Sequence, residues 1–169
     1  MQEIRPCEVP LNSYLRSYKG AEGHADCYMG YVPGAITQAQ FVEAFYTTSL
    51  FKVERTLLSY LAARPATDAD AQQLAAGLAT SFSAWRVEAQ SASELLLADF
   101  TGRTRSWLMA TPVTGSATTR LYFGSAVVAR ASRNGHRPDM GWPFHALLGF
   151  HRLYSRLLLG AACRRLGAA

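Results

Sequence analysis

Apolar positions along this chain change their spacing twice. Between residues 37 and 80 they recur at helical intervals, between 82 and 130 they alternate with polar residues, and from 142 to 167 the helical interval returns. Residues 1–25 precede this pattern and read as polar and irregular, with Gly20 and Gly23 bracketing a turn. The stretch from Asp26 to Val32 reads as a strand closed by the turn pair Pro33 and Gly34. Thr37 and Gln40 have the spacing of a capping box, so a helix starts there, with Phe41, Ala44 and Phe45 on its buried face. After Thr47, Thr48 and Ser49 weaken it, a second helix is expected from Leu50 to Ala63, ended by Pro65. Thr67 followed by Asp68 and Asp70 starts a third, because carboxylates in the first turn complement the helix dipole.

The period then becomes two: Trp85, Val87 and Ala89 alternate with Arg86, Glu88 and Gln90. Further strands are expected from Glu94 to Phe100, over 103–112 with a stop at Pro112, and from Thr118 to Arg130, separated by turn signals at Thr101, Gly102 and Thr114 to Ser116. Such spacing indicates an antiparallel meander. In the last helix Leu147, Phe150, Tyr154, Leu157, Leu158 and Ala161 fall on one side, and His145, Arg152 and Arg156 on the other. The predicted architecture is α+β: a curved antiparallel sheet closed by a long C-terminal helix, with two or three helices after the first strand. That shape encloses an apolar cavity. The apolar stripe of the last helix either packs on the sheet, lines that cavity, or lies on a membrane surface.

The 169 residues suit one domain, and a chain of this length buries enough surface to fold without a metal or disulfide staple. At 49% hydrophobic and 17% charged residues the composition is globular. No apolar run reaches the roughly 18 residues of a membrane span, and Met1–Gly20 has no apolar signal region, so a cytoplasmic protein is expected. Cys7, Cys27 and Cys163 are odd in number and widely spaced, which reads as ordinary cytosolic thiols and not as a disulfide frame or metal site. The net charge of +5 is uneven: residues 1–100 hold 7 basic and 11 acidic groups, net −4, and residues 101–169 hold 10 and 1, net +9. The ten basic residues of the second part are all Arg and dispersed, so a nucleic-acid partner is not expected.

No dinucleotide, phosphate-loop, zinc-protease or nucleophile-elbow motif is present, so binding is favoured over catalysis and no cofactor is expected. His145 and His151, six apart on a helix, point about 240° apart and cannot chelate one metal. Arg103, Arg105 and Trp107 alternate on one strand and are expected on one face, where two guanidiniums beside an indole suit a carboxylate or phosphate. The plainer alternative is a solvated face, with Asp99 paired to Arg103 across the turn. Trp85 reads as core or pocket lining. Asp26 beside Tyr28 reads as a buried acid without a placed base.

Gly20 to Tyr28, Ala44 to Tyr46, Trp85 to Glu88, Gly102 to Leu108 and Trp142 to Leu153 together resemble an uncharacterised bacterial family of single-domain proteins in the START-like (SRPBCC) superfamily. The resemblance implies a helix-grip fold over 1–169, with a sheet wrapped around the C-terminal helix and an apolar cavity between them. Members of the superfamily bind lipids, polyketides or other apolar molecules, and some are cyclases or hydrolases. The fold has six or seven strands, so the segment from Glu3 to Leu15 is the candidate for a further one. The expected function is binding of an apolar or amphipathic small molecule, without stable membrane insertion. Trp85, Trp107, Tyr122, Phe144, His145, Phe150 and Tyr154 are the expected lining, and Arg103 and Arg105 the anion holders. The enzymatic alternative is a cofactor-independent cyclase, dehydratase or hydrolase using Asp26, His145 or Tyr122; the third is a module that docks its basic half on a protein or membrane surface.

Overall fold

A computed structural model of the chain describes residues 3–20, 24–53, 66–128 and 142–168, with side chains throughout except at 142–151. Among the described residues, seven strands form one sheet: β1 (Arg5–Pro6), β2 (His24–Pro33), β3 (Ser81–Phe82), β4 (Trp85–Gln90), β5 (Glu94–Asp99), β6 (Thr104–Pro112) and β7 (Thr118–Val127). Their order is β1-β2-β7-β6-β5-β4-β3, and every neighbouring pair is antiparallel. Helices α1 (Gln38–Tyr46) and α2 (Asp68–Ala75) lie between β2 and β3, and α3 (Trp142–Gly167) follows β7. The class is therefore α+β, with an antiparallel sheet and a long C-terminal helix.

The helix starts follow from their caps. Thr37 accepts from the Gln40 backbone N–H while the Gln40 side chain accepts from the Thr37 N–H, and Thr67 and Asp70 do the same for α2. The break after α1 is also a start: Thr48 Oγ1 accepts from Phe51 N at 3.2 Å, and residues 49–53 are helical. The rest of the helix expected up to Ala63 lies outside the described residues, as does Arg130.

The sheet is buried on both faces. Toward α1, α2 and α3 lies a core of Phe41, Phe45, Tyr46, Leu74, Leu158, Leu159 and Cys163 against Tyr28, Leu95, Leu97, Leu108 and Phe123. Aromatic rings fill it, with Phe45 4.8 Å from Phe123 and Tyr46 5.2 Å from Phe82 between centroids. The opposite face is covered by the N-terminal segment. There Val9 and Leu15 pack on Cys27, Leu96, Trp107, Met109 and Tyr122. Residues 1–25, read as irregular but with Glu3 to Leu15 as the candidate for a further strand, contain β1 inside that candidate and a 3-10 turn over Tyr14–Tyr18. Both are too short to show as a hydrophobic period.

Three expectations need correction. The alternation of β4 does not hold one face, because a bulge between Val87 and Ala89 turns Ala89 to the second core while Trp85 and Val87 stay at the first. Arg103 is not on β6: it is exposed in the turn that precedes it. The buried stripe of α3 is Ser155, Leu158, Leu159, Ala162 and Cys163, and Leu157, expected inside, is 47% exposed. Three consecutive leucines, Leu157 to Leu159, leave the phase of the stripe open. It is set by close approach at Gly30 of β2, where an added Cβ would lie 2.7 Å from Ile4 Cδ1 and 3.0 Å from Cys163 Sγ.

Candidate functional site

β1 pairs with β2 through Arg5 with Met29 and Pro6 with Tyr28, one further backbone hydrogen bond runs from Cys7 N to Cys27 O, and the N-terminal segment then leaves the sheet edge. A groove of about 530 Å³ opens there between the β2 edge and α3. The N-terminal wall is Pro6, Cys7, Glu8, Val9 and Lys19. The strand wall is residues 24–28, and the helix wall is Arg152, Leu153 and Arg156. The pleat decides which strand residues meet the helix. Tyr28 packs in the core beneath α3, so Asp26 and His24, two and four residues away, share its face, while Cys27 turns to the other.

Asp26 is the centre of the strand wall. It sits opposite Ser125 of β7, whose Oγ donates to Asp26 Oδ1 at 2.6 Å. The second carboxylate oxygen, Oδ2, is buried without a hydrogen-bond partner, and so is His24 Nε2. The Tyr28 hydroxyl is pushed above its ordinary pKa by burial and by the charge of Asp26, and pulled back by Arg152 and Arg156. Those two arginines stand one turn apart on the exposed side of α3, and Arg156 Nη2 donates to Ile4 O at 3.3 Å. Lys19 is ion-paired with Glu8 on the N-terminal wall. The groove therefore has a cationic rim, a carboxylate on its floor and apolar surface from Val9, Leu153 and Tyr28.

The expected lining does not come together in one place. Trp85 and Tyr154 are half-buried against the core on the α3 side. Trp107 and Tyr122 are on the opposite face, 6.1 Å apart between ring centroids, beneath the N-terminal segment. Trp107 is fully buried, and its Nε1 donates to Glu94 Oε2 at 2.8 Å. Arg105 is not free to hold an anion: its Nε is 2.8 Å from Glu88 Oε2 and its guanidinium lies 4.7 Å from the Tyr18 ring centroid. The Asp99 carboxylate binds the Arg103 backbone N–H, not its side chain. The Phe144, His145 and Phe150 side chains lie outside the described residues.

Cys7, His24, Arg152 and the Asp26–Ser125 pair were not singled out together by sequence reasoning. Asp26 and Ser125 are 99 residues apart, and no local pattern joins them. The usable signals were the i, i+4 spacing of Arg152 and Arg156 and the alternation of His24, Asp26 and Tyr28. Among the described residues no group of three or more His, Cys, Asp or Glu is placed to hold a metal ion, and no helix is long and apolar enough to cross a membrane. No protein-family model, curated protein or solved structure matches the chain.

Proposed function

We propose that this chain is a small-molecule-binding domain of the helix-grip kind, a branch of the START-like superfamily, that takes an amphipathic anion between sheet and C-terminal helix. The observation that carries the reading is the cationic rim over a half-apolar groove: Arg152 and Arg156 beside Leu153, facing Tyr28. A volume of about 530 Å³ falls in the range of small-ligand pockets, roughly 300–1,000 Å³. The groove lies between the β2 edge of the sheet, the N-terminal segment and the C-terminal helix. The ring-filled core beneath α1 argues for a ligand at this edge and against one buried at the centre of the fold. Arginine suits a carboxylate because its fork of N–H donors matches two oxygens at once.

The test is native mass spectrometry and calorimetry with decanoate and decanol as probes. Decanoate is expected to bind and decanol to bind several-fold more weakly. Arg152→Ala combined with Arg156→Ala is expected to cost decanoate about tenfold or more, as loss of a charged hydrogen bond does. Equal binding of acid and alcohol, or full affinity in the double variant, would sink the proposal.

One observation favours a second reading, an acid–base enzyme of the same superfamily: Asp26 Oδ2 is buried at the groove floor without a partner. Of the other two groups considered for such chemistry, Tyr122 packs in the core beneath the N-terminal segment and does not line the groove, and the His145 side chain lies outside the described residues. Asp26→Asn keeps the shape and the Ser125 contact but removes the base. In a screen of activated esters and polyketide-like substrates, any turnover by the wild type is expected to vanish in Asp26→Asn while decanoate binding persists. Turnover retained in the variant would exclude Asp26 as the base.

A further inference from the structure

Cys7 and Cys27 are 20 residues apart in sequence, and their sulfurs are 3.2 Å apart in the fold. The contact is built by the sheet. The register of Arg5 with Met29 and Pro6 with Tyr28 continues one step, and Cys7 N donates to Cys27 O at 2.9 Å. Cys7 and Cys27 are thus directly opposed across an antiparallel pair. Opposed Cα atoms in such a pair are about 4.5–5.5 Å apart, inside the roughly 4.4–6.8 Å that a disulfide needs. The two thiols differ in access. Cys27 is 3% exposed under the second core, whereas Cys7 is half-buried, and both border the groove.

We propose that Cys7 and Cys27 form a reversible redox pair in which Cys7 is the attacking and Cys27 the resolving thiol, oxidised by low-molecular-weight disulfides. In the first step the Cys7 thiolate attacks one sulfur of a disulfide such as oxidised glutathione. A Cys7–glutathione bond forms, the glutathione S–S bond breaks, and one glutathione leaves as thiolate and takes up the proton Cys7 lost. In the second step Cys27 gives up its proton and attacks the Cys7 sulfur, releasing the second glutathione as thiol. Two protein thiols become one disulfide, and one glutathione disulfide becomes two thiols.

The electrostatics agree with this division of roles. The hydrogen bond with Cys27 holds the Cys7 thiol below its ordinary pKa, against burial and the charge of Glu8. The same contact, together with burial, pushes Cys27 well above its own. A thiolate is the attacking species, so the first attack belongs to Cys7. Cys163 takes no part. It is fully buried on the core-facing side of α3, and burial pushes its thiol up to about 12. Oxidation would tie the N-terminal wall of the groove covalently to its strand wall. The pairing stands on the sulfur geometry and the roles on the difference in access, and neither depends on the ligand reading.

The test uses the full chain, equilibrated with oxidised glutathione, denatured without reductant, alkylated and read by mass spectrometry. Of the three thiols, one is expected to remain alkylatable, Cys163, with the mass lower by two hydrogens and a Cys7–Cys27 cross-linked peptide in the digest. Cys27→Ser is expected to accumulate one glutathione on Cys7. Cys7→Ser is expected to accumulate none at Cys27, which identifies the attacker. Far-UV circular dichroism establishes that each variant is folded, and Cys163→Ser serves as the variant whose oxidation is expected to match wild type. Three alkylated thiols after equilibration, or a bridge that includes Cys163, would overturn the pair. Equal labelling of Cys7 and Cys27 in the single variants would overturn the assigned roles.

Discussion

The Asp99 carboxylate accepts hydrogen bonds from the Thr101 hydroxyl and from the backbone N–H groups of Arg103 and Thr104. It therefore holds the turn between β5 and β6 together and is not one half of an ion pair. Glu94, at the other end of β5, also binds a backbone group: it is 8% exposed and accepts from Tyr14 N and Trp107 Nε1, each at 2.8 Å. Burial works to raise the Asp99 pKa, but the Thr101 hydroxyl and the three backbone N–H groups of Thr104, Arg103 and Thr101 outweigh it and hold it below its ordinary 3.8. A carboxyl with a lowered folded pKa adds stability above its unfolded value and loses it as pH falls through the folded one. Asp99→Asn is therefore expected to be less stable than wild type near neutral pH, with the gap narrowing as pH drops below 3.8. Urea unfolding at a series of pH values measures it. A gap that stays constant from about pH 6 to pH 2 would mean that the charge contributes nothing.

At the scale of elements, most of the fold was legible because most elements are long relative to their own period. β5, β6, β7 and α3 lie within a residue or a few of their predicted bounds, and both capping boxes start helices where the spacing placed them. Of the two strands only two residues long, β1 falls inside the Glu3–Leu15 segment expected to add a strand while β3 was missed, and both hold only by pairing with longer strands. Facing was harder to read than existence. The apolar runs in β5 and β6 are continuous because both faces are buried, so alternation no longer says which side a residue serves. Trp107 and Tyr122 were expected beneath the C-terminal helix for this reason, and they lie beneath the N-terminal segment instead. The groove was less legible still, since its walls come from residues 6–9, 24–28 and 152–156, which only the sheet register brings together.

For the molecule as a whole, the consequence is a three-layer arrangement in which one outer layer is a short irregular segment. Helices cover one face of the sheet, and Val9, Tyr14, Leu15 and Tyr18 cover the other. Leu15 is the anchor of that cover: it is 0% exposed and fits over Gly124 of β7, where an added Cβ would lie 2.4 Å from Leu15 Cδ2. Strand β7 is paired on both edges, and Trp107 on the neighbouring β6 walls the same seat, so a glycine there makes the socket and the leucine fills it. Leu15→Ala empties the socket. A buried Leu→Ala change costs about 2–5 kcal/mol, against a total stability of about 5–15 kcal/mol for a domain. If the N-terminal segment is an integral layer, the variant is expected to lose at least about 2 kcal/mol in urea unfolding and to change the near-ultraviolet signal of Trp107, while the helices keep their far-ultraviolet signal. A loss below about 1 kcal/mol would instead mean that the socket collapses and the segment is a dispensable cover.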